Sequence, residues 1–353
     1  MFNPRDVPRE SNVYIILYFE EGMAQKNVSH HVQRSFLEIR GAGIQTAQLP
    51  LVMVKGKEAG PHVWITAGIH GDESGAVVVA QELIARLSHT SVTKGVVSIL
   101  PIVNPSGFSR VVRVLPESHE DINRCFPGDR GGSLGKQFAD VVFQAIRRTN
   151  AAVVCDLHNG WTMAVPYVLI EPAIGGIPKK IYTRIVAFAK SSGLIIIEDY
   201  DEEDIDEESG NTSGKTLSES LVSFGFPALT FELGGSYGVD ETRMKAYADS
   251  VWNIFASLGM VQPEKVQLKI PTTIRGKILK YTDRPRCSVD GIVRFVVSPG
   301  DIVKKGDELA HVYSEFGELL ETLRAVQHSV ILEFEDSAQA RVGKVVIASG
   351  IEK

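Results

Sequence analysis

Three apolar runs in this chain each end on a residue that can handle an ion or a proton. Val-Trp-Ile-Thr-Ala-Gly-Ile leads into His70, and Glu73 follows after Gly71-Asp72; Ala-Ala-Val-Val-Cys-Asp-Leu leads into His158; Pro-Ala-Leu-Thr-Phe leads into Glu232. Two neutral imidazoles and one carboxylate suit a zinc ion that keeps a fourth position open. Water in that position has its pKa lowered to about 7. His70 and Glu73 are close enough across a strand-to-helix turn to bind one ion, with Gly71 giving the turn its freedom and Asp72 placed to cap the helix. A further carboxylate is needed to take the proton from water and pass it to a leaving nitrogen, and Glu232 is the residue placed for it.

Each residue alone has a duller reading. Glu73 could be an acid favoured by the dipole of a helix's first turn, His158 a hydrogen-bonded strand-end histidine, and Glu232 an ordinary capping acid. Their shared placement at strand ends favours the metal site. His30, His31, His62, His89, His119, His311 and His328 lack such a setting and read as structural or surface residues.

A second cluster lies between the two histidine-bearing runs: Asn104-Pro105-Ser106-Gly107-Phe108, Arg110, Arg113, then Asp121-Ile122-Asn123-Arg124-Cys125-Phe126-Pro127-Gly128-Asp129. Arginine matches a carboxylate through its two-pronged fork, so Asn123-Arg124 is placed to take a substrate carboxylate. Arg113 could polarise a carbonyl and stabilise an oxyanion.

These residues need strands that aim them at one crevice. Buried strands are expected at 62–69, 95–103, 151–157, 194–198 and 228–233, and helices at 74–87, 133–148, 179–191, 216–224 and 241–258, from their apolar spacing. Such alternation implies an α/β sheet covered on both faces, and ligands bind outside the carboxyl ends of its strands. Residues 1–55 read as short strands, for example 12–19 and 35–39. Asn104-Pro105 reads as a turn, and 161–167 as part of a loop that walls the pocket. Beyond about residue 260 the texture changes to short β runs such as 291–297 and 330–334, separated by Gly and Pro turns. The expected division is a catalytic domain over 1–262 and a β-rich domain over 263–353.

Composition sets the outer limits. The chain has 353 residues and a net charge of -6, which argues against a nucleic-acid binder or a polybasic membrane-surface protein. Its three cysteines, Cys125, Cys155 and Cys287, form no paired motif, so a reducing compartment fits. The first ten residues lack a secretory pattern and no apolar stretch reaches membrane-spanning length. A cytoplasmic protein is expected, and a homo-oligomer is left open. The run of acidic residues over 198–208 reads as a solvated loop; the sharper reading is a lid that steers a cationic substrate, such as an acylated diamino acid.

In this order, GIHGDE, NPSGF, DINRCFPGD, DLHNG and FELGG resemble the succinylglutamate desuccinylase/aspartoacylase family, over roughly residues 60–260 and on into the β-rich tail. The family is similar in fold to the zinc carboxypeptidases. The resemblance implies a mixed sheet sandwiched by helices, one zinc ion, and hydrolysis of the amide of a small N-acyl amino acid. It implies His70, Glu73 and His158 as zinc ligands, Glu232 as general acid/base, and Asn123 and Arg124 as binders of the substrate carboxylate. Arg113 resembles the arginine that polarises the carbonyl, with Arg110 as the rival, and Tyr237 is the nearest counterpart of a tyrosine over the pocket. A carboxypeptidase acting on short or modified peptides is the alternative enzyme, and a non-catalytic metal-bound or carrier-like protein the alternative of another class. The tail DGIVRFVVSPGDIVKKGDELAHVYSEFGE resembles half of a biotinyl/lipoyl carrier domain. Carriers need a modifiable lysine at a hairpin tip, whereas Lys304 and Lys305 fall in a different turn, so a structural, barrel-like domain is expected.

Overall fold

The computed structural model describes residues 31–39, 47–172, 177–199, 215–235, 239–268, 274 and 276–352. The strand expected at 12–19, most of the acidic run and Tyr237 lie outside the described residues.

At the centre lie three parallel strands, β3 (Glu58–Ala67), β5 (Val153–His158) and β9 (Ala228–Glu232), hydrogen-bonded in the order β3-β5-β9. Every residue of β5 is buried, so both faces of the sheet are covered there, which is why its sequence is a continuous apolar run rather than an alternating one. Toward one edge follow β4 (Lys94–Leu100), β2 (Ala47–Lys55) and β1 (Val32–Ile39). The outermost strand, β1, alternates between buried and partly exposed positions, as expected of a strand with one face toward water. β1 and β2 are antiparallel, as are β2 and β4, so the sheet is mixed.

Helices cover it. α1 (Ser74–His89) packs against α6 (Glu241–Ser257), which packs against α4 (Lys179–Ser192); α3 (Leu134–Arg148) packs against α5 (Leu217–Ser223). α3 shows why the helical periodicity was readable: it buries Phe138, Ala139, Val142, Phe143 and Ile146, one face at helical spacing, and ends in Arg147 and Arg148. Caps set other boundaries: the Thr216 side chain accepts from Glu219 N (3.1 Å), and Asp240 from Arg243 N (3.0 Å).

Two local readings change. Asn104-Pro105 opens a short helix, α2 (Pro105–Arg110), rather than a turn: the Asn104 side chain accepts from Gly107 N (2.9 Å) and proline occupies the first helical turn. The expected pocket loop over 161–167 ends by opening a strand, β7 (Tyr167–Ile170), antiparallel to β9 and parallel to β8 (Ile195–Glu198).

The β-rich tail divides between two sheets. β10 (Ile278–Thr282) pairs with β8, and β17 (Ile347–Glu352), β15 (Ser329–Phe334) and β12 (Ile302–Val303) continue the large sheet in that order. β6 (Met163–Ala164) also pairs with β15. The second sheet is antiparallel, in the order β14 (Leu319–Arg324), β13 (Glu308–Tyr313), β11 (Gly291–Phe295) and β16 (Gln339–Ala340). It shares a separate apolar core that includes Val293, Leu309, Val312, Leu323 and Phe334. Lys304 sits in a turn closed by Asp307, and the tip between β13 and β14 is Ser314-Glu315-Phe316-Gly317-Glu318, without a lysine.

His62, read as structural, stacks on Trp64 and contacts Ser98 Oγ (2.8 Å); burial pushes its pKa down to about 4. No helix among the described residues is long and apolar enough to cross a membrane.

Candidate active site

The parallel register delivers the expected residues together. His158 and Glu232 are the last residues of β5 and β9 and stand side by side in the ladder, while His70 follows the end of β3. Glu73 occupies the cap position of α1 without capping it. Its carboxylate turns inward instead: Oε1 lies 2.6 Å from His70 Nδ1, and Oε2 lies 3.0 Å from His158 Nδ1 and accepts from Asn159 N (3.0 Å). Asp72 does not take over the cap. Its carbonyl, not its side chain, accepts from Ser74 N, and its Oδ1 is buried without a hydrogen-bond partner among the described residues.

The donor set fits a cation. His158 Nε2 faces Asp156 Oδ2 (3.0 Å) and His70 Nε2 faces Asp121 Oδ1 (3.2 Å), so each Nε2 carries the ring proton. Each Nδ1 then presents a lone pair. The two Nδ1 atoms stand 3.2 Å apart, with the Glu73 oxygens beside them. Three acceptors in one buried spot repel unless something positive joins them. Tetrahedral zinc with bonds of about 2.0–2.1 Å holds ligand atoms about 3.3 Å apart, close to the observed nitrogen separation. Among the described residues, His70, Glu73 and His158 form the group that could hold a metal ion.

Electrostatics point the same way. Burial disfavours a charge on Glu73, yet the two imidazoles beside it hold its carboxyl well below the usual range. Burial also opposes protonation of His158, and Asp156 and Glu73 overcome it, raising its pKa. The field that favours a proton here is one a dication would also feel.

Arg113 comes to the site and Arg110 does not. Arg113 places Nη1 3.5 Å from Glu73 Oε1 and donates Nε and Nη2 to Asp121 Oδ2 (3.2 and 3.1 Å). Among the described residues, Arg110 pairs with Glu117, at 3.9 Å on the surface. The Arg113 backbone is held by Gly71 N, which donates to its carbonyl. There GIHGDE and NPSGF touch main chain to main chain: a Cβ on Gly71 would stand 2.0 Å from the Gly107 carbonyl carbon. Asn123 is buried, and its side-chain oxygen accepts from Leu217 N at the start of α5 (2.9 Å). This directs the amide NH2 elsewhere, as a donor. Arg124 is tied to its neighbour through Nη1 donating to Asn123 O (2.9 Å).

Glu232 is half-buried. Burial pushes its carboxyl up to about 8, with Glu73 and Glu333 adding to the rise and His158 and Arg113 opposing it.

Three organising residues escaped the sequence reading. Asp121 joins His70, Arg113 and Asn123 N (2.8 Å). Asp156 joins His158 to Thr66, whose hydroxyl donates to Oδ1 (2.6 Å). Asn159 joins Glu73 to Ala76 N (2.7 Å) at the start of α1 and to Leu233 O (2.6 Å) after β9. Asp156 carried a readable signal: two residues before His158 on a strand, it must share that residue's face.

Asp156→Asn keeps the size and an acceptor for Thr66, but its NH2 faces His158 Nε2 and reverses the ring's proton. Metal affinity is expected to fall about 10–100-fold, read by titration against a competing chelator with Tm as the check on folding.

Residues 59–258 match the family described as the succinylglutamate desuccinylase/aspartoacylase catalytic domain. The chain belongs to that family. An N-alpha-acetyl-L-2,4-diaminobutyric acid deacetylase from Halomonas elongata is 27% identical over 297 residues, covering 80% of each chain. In fold, the chain is similar to the ectoine utilization protein EutE (DoeB) from Ruegeria pomeroyi, with a TM-score of 0.75, 22% identity, and coverage of 93% of this chain and 100% of that one. It is equally similar to a succinylglutamate desuccinylase/aspartoacylase from Rhodobacter sphaeroides, with a TM-score of 0.75, 20% identity, and coverage of 94% and 99%.

Proposed function

We propose that this chain is a zinc-dependent hydrolase of the amide bond in a small N-acyl amino acid. The observation that carries the reading is the buried triad of His70, Glu73 and His158 beside a half-buried Glu232, on adjacent parallel strands of a family of deacylases. His70 and His158 would hold the ion through Nδ1 and Glu73 through its carboxylate. Bound there, zinc supplies a Lewis acid that acidifies water and polarises a carbonyl.

The chain's own groups do the rest. Arg124 and the Asn123 amide NH2 receive the substrate carboxylate and fix the scissile amide beside the triad. Arg113 turns one guanidinium nitrogen toward the triad, where it favours negative charge developing on the carbonyl oxygen. Glu232 takes the proton from the attacking water and returns it to the departing nitrogen; a carboxyl whose burial raises its pKa toward neutrality can do both. Tyr237 is kept as a pocket residue on the family resemblance. Residues 263–353 are kept as a β-rich domain that shapes the pocket, supported by the separate core of the second sheet. The three free cysteines support a cytoplasmic setting.

The test is turnover of N-acetyl, N-succinyl and N-formyl derivatives of neutral, acidic and basic amino acids, with short peptides as controls. Activity is expected on an acyl amino acid with a free α-carboxylate. The deacetylase relative and the acidic run over 198–208 place N-acetylated diamino acids first in the panel. Cleavage of peptides alone would overturn the reading in favour of a carboxypeptidase.

A further inference from the structure

Glu333 lies far along the chain from every residue named in the mechanism, on β15, yet it is buried beside the loop that follows His158. Its Oε2 accepts from Trp161 N (3.0 Å) and its Oε1 from the Tyr167 hydroxyl (3.1 Å). Tyr167 is buried and is the ladder partner of Glu232. One carboxylate therefore bridges the residue three beyond His158 and the strand beside Glu232. The fit is close: a Cβ on Gly160 would stand 2.1 Å from Glu333 Oε2, so a larger residue there would displace this carboxylate.

The rest of the loop is fastened to the same strand. Thr162 N donates to Asp336 Oδ1 (2.7 Å), Val165 N donates to Leu332 O (2.9 Å), and β6 pairs with β15 through Ala164 and Met163. On its other side the loop meets the turn after Glu232, where Gly235 N donates to Trp161 O (3.5 Å). Residues 159–165 thus lie between His158, the Glu232 turn and β15. Trp161 is half-buried while Thr162 and Met163 are exposed, and the loop begins immediately after His158. Burying a carboxylate carries a desolvation cost that such a site repays only through the bonds it makes.

We infer that Glu333 is a positioning residue of the active site: through Trp161 N and the Tyr167 hydroxyl it holds the 159–165 loop as a substrate-binding wall. The effect falls mainly on how tightly substrate is held and only secondarily on the chemical step, through the Glu333 charge that adds to the rise of the Glu232 pKa. This rests on the hydrolase reading above for its kinetic arm, but not for its structural arm.

The experiment compares Glu333→Ala with Glu333→Gln in the metal-loaded, full-length protein. Glutamine retains an oxygen for Trp161 N and an NH2 to which the Tyr167 hydroxyl can act as acceptor; alanine leaves both groups unpaired. In the alanine variant KM is expected to rise about tenfold, the scale of a lost buried hydrogen bond, with kcat changed less than about threefold and zinc content unchanged. Amide exchange is expected to accelerate at 160–165 and not elsewhere in the sheet. The glutamine variant should match the parent in both readouts. Unchanged KM and exchange in the alanine variant would overturn the inference, as would a glutamine variant as impaired as alanine, since charge and not hydrogen bonding would then be the active property. Should the alanine variant fail to fold, Tyr167→Phe removes one donor and is expected to give a smaller rise in KM and faster exchange in the same loop; no change would count against the inference. A parent protein that hydrolyses none of the panel would refute the hydrolase reading, and exchange alone would then decide the role of Glu333.

Discussion

Glu232→Gln is expected to lower kcat by about 10²–10⁴-fold, the span over which a positioned acid/base group contributes, while zinc content and Tm stay near the parent values. Glutamine fills the same half-buried position at the end of β9 and presents an oxygen and an NH2 of similar shape, but it can neither take nor release a proton. KM should move little, because the substrate carboxylate is assigned to Asn123 and Arg124 rather than to this side chain. Removing a carboxylate whose pKa burial pushes up to about 8 relieves a desolvation cost, so Tm should hold or rise slightly. Steady-state kinetics on the best substrate of the panel, with zinc measured on the same preparation, make the check. A kcat within threefold of the parent would remove Glu232 from the chemistry.

The second large effect concerns the ion itself. His158→Ala removes one of the three buried residues proposed to hold the ion and leaves Asp156 and Glu73 facing each other without the imidazole between them. Zinc is expected to fall from about one per chain, the stoichiometry of a three-ligand site, to a small fraction of that, and hydrolysis to background. Chelation of the parent protein should give the same loss of activity, reversed when zinc is restored. Set beside Asp156→Asn, the series is graded: losing the ligand abolishes binding, while losing only the group that orients it weakens binding. Full zinc occupancy in the alanine variant would show that the ion is held elsewhere.

Much of the frame could be read from local pattern. The helices over 74–89 and 134–148 and the strands ending at His158 and Glu232 appear in the sequence as apolar periodicity, because each buries a face or lies wholly inside. β7 could not be read in this way: Tyr167–Ile170 is only four residues long, and its partners β9 and β8 lie farther along the chain. Asn104-Pro105 misled because asparagine followed by proline marks both a turn and a helix start, and only the bond from Gly107 N distinguishes them. In the site, the residues that reach the common point were legible from their places at strand ends. Asp121, Asn159 and Glu333 act through partners distant in sequence, and spacing carries no trace of such contacts. The choice between Arg110 and Arg113 was open for the same reason, since α2 and the loop after it decide which guanidinium turns inward.

Strand order in the large sheet departs from chain order, and that has a bearing on how the protein is made. β15 reaches β10 only through β17, whose residues follow all the others in that sheet, and β5 must wait for β9 to gain its second neighbour. Pairings this distant cost chain entropy before any contact rewards them, which slows folding. The pairings of the parallel centre that bears His70, His158 and Glu232 use no residue beyond 232. The clamp on the 159–165 loop needs Glu333 and Asp336. A growing chain therefore carries the triad and Glu232 well before it carries the strand that fastens the loop beside them.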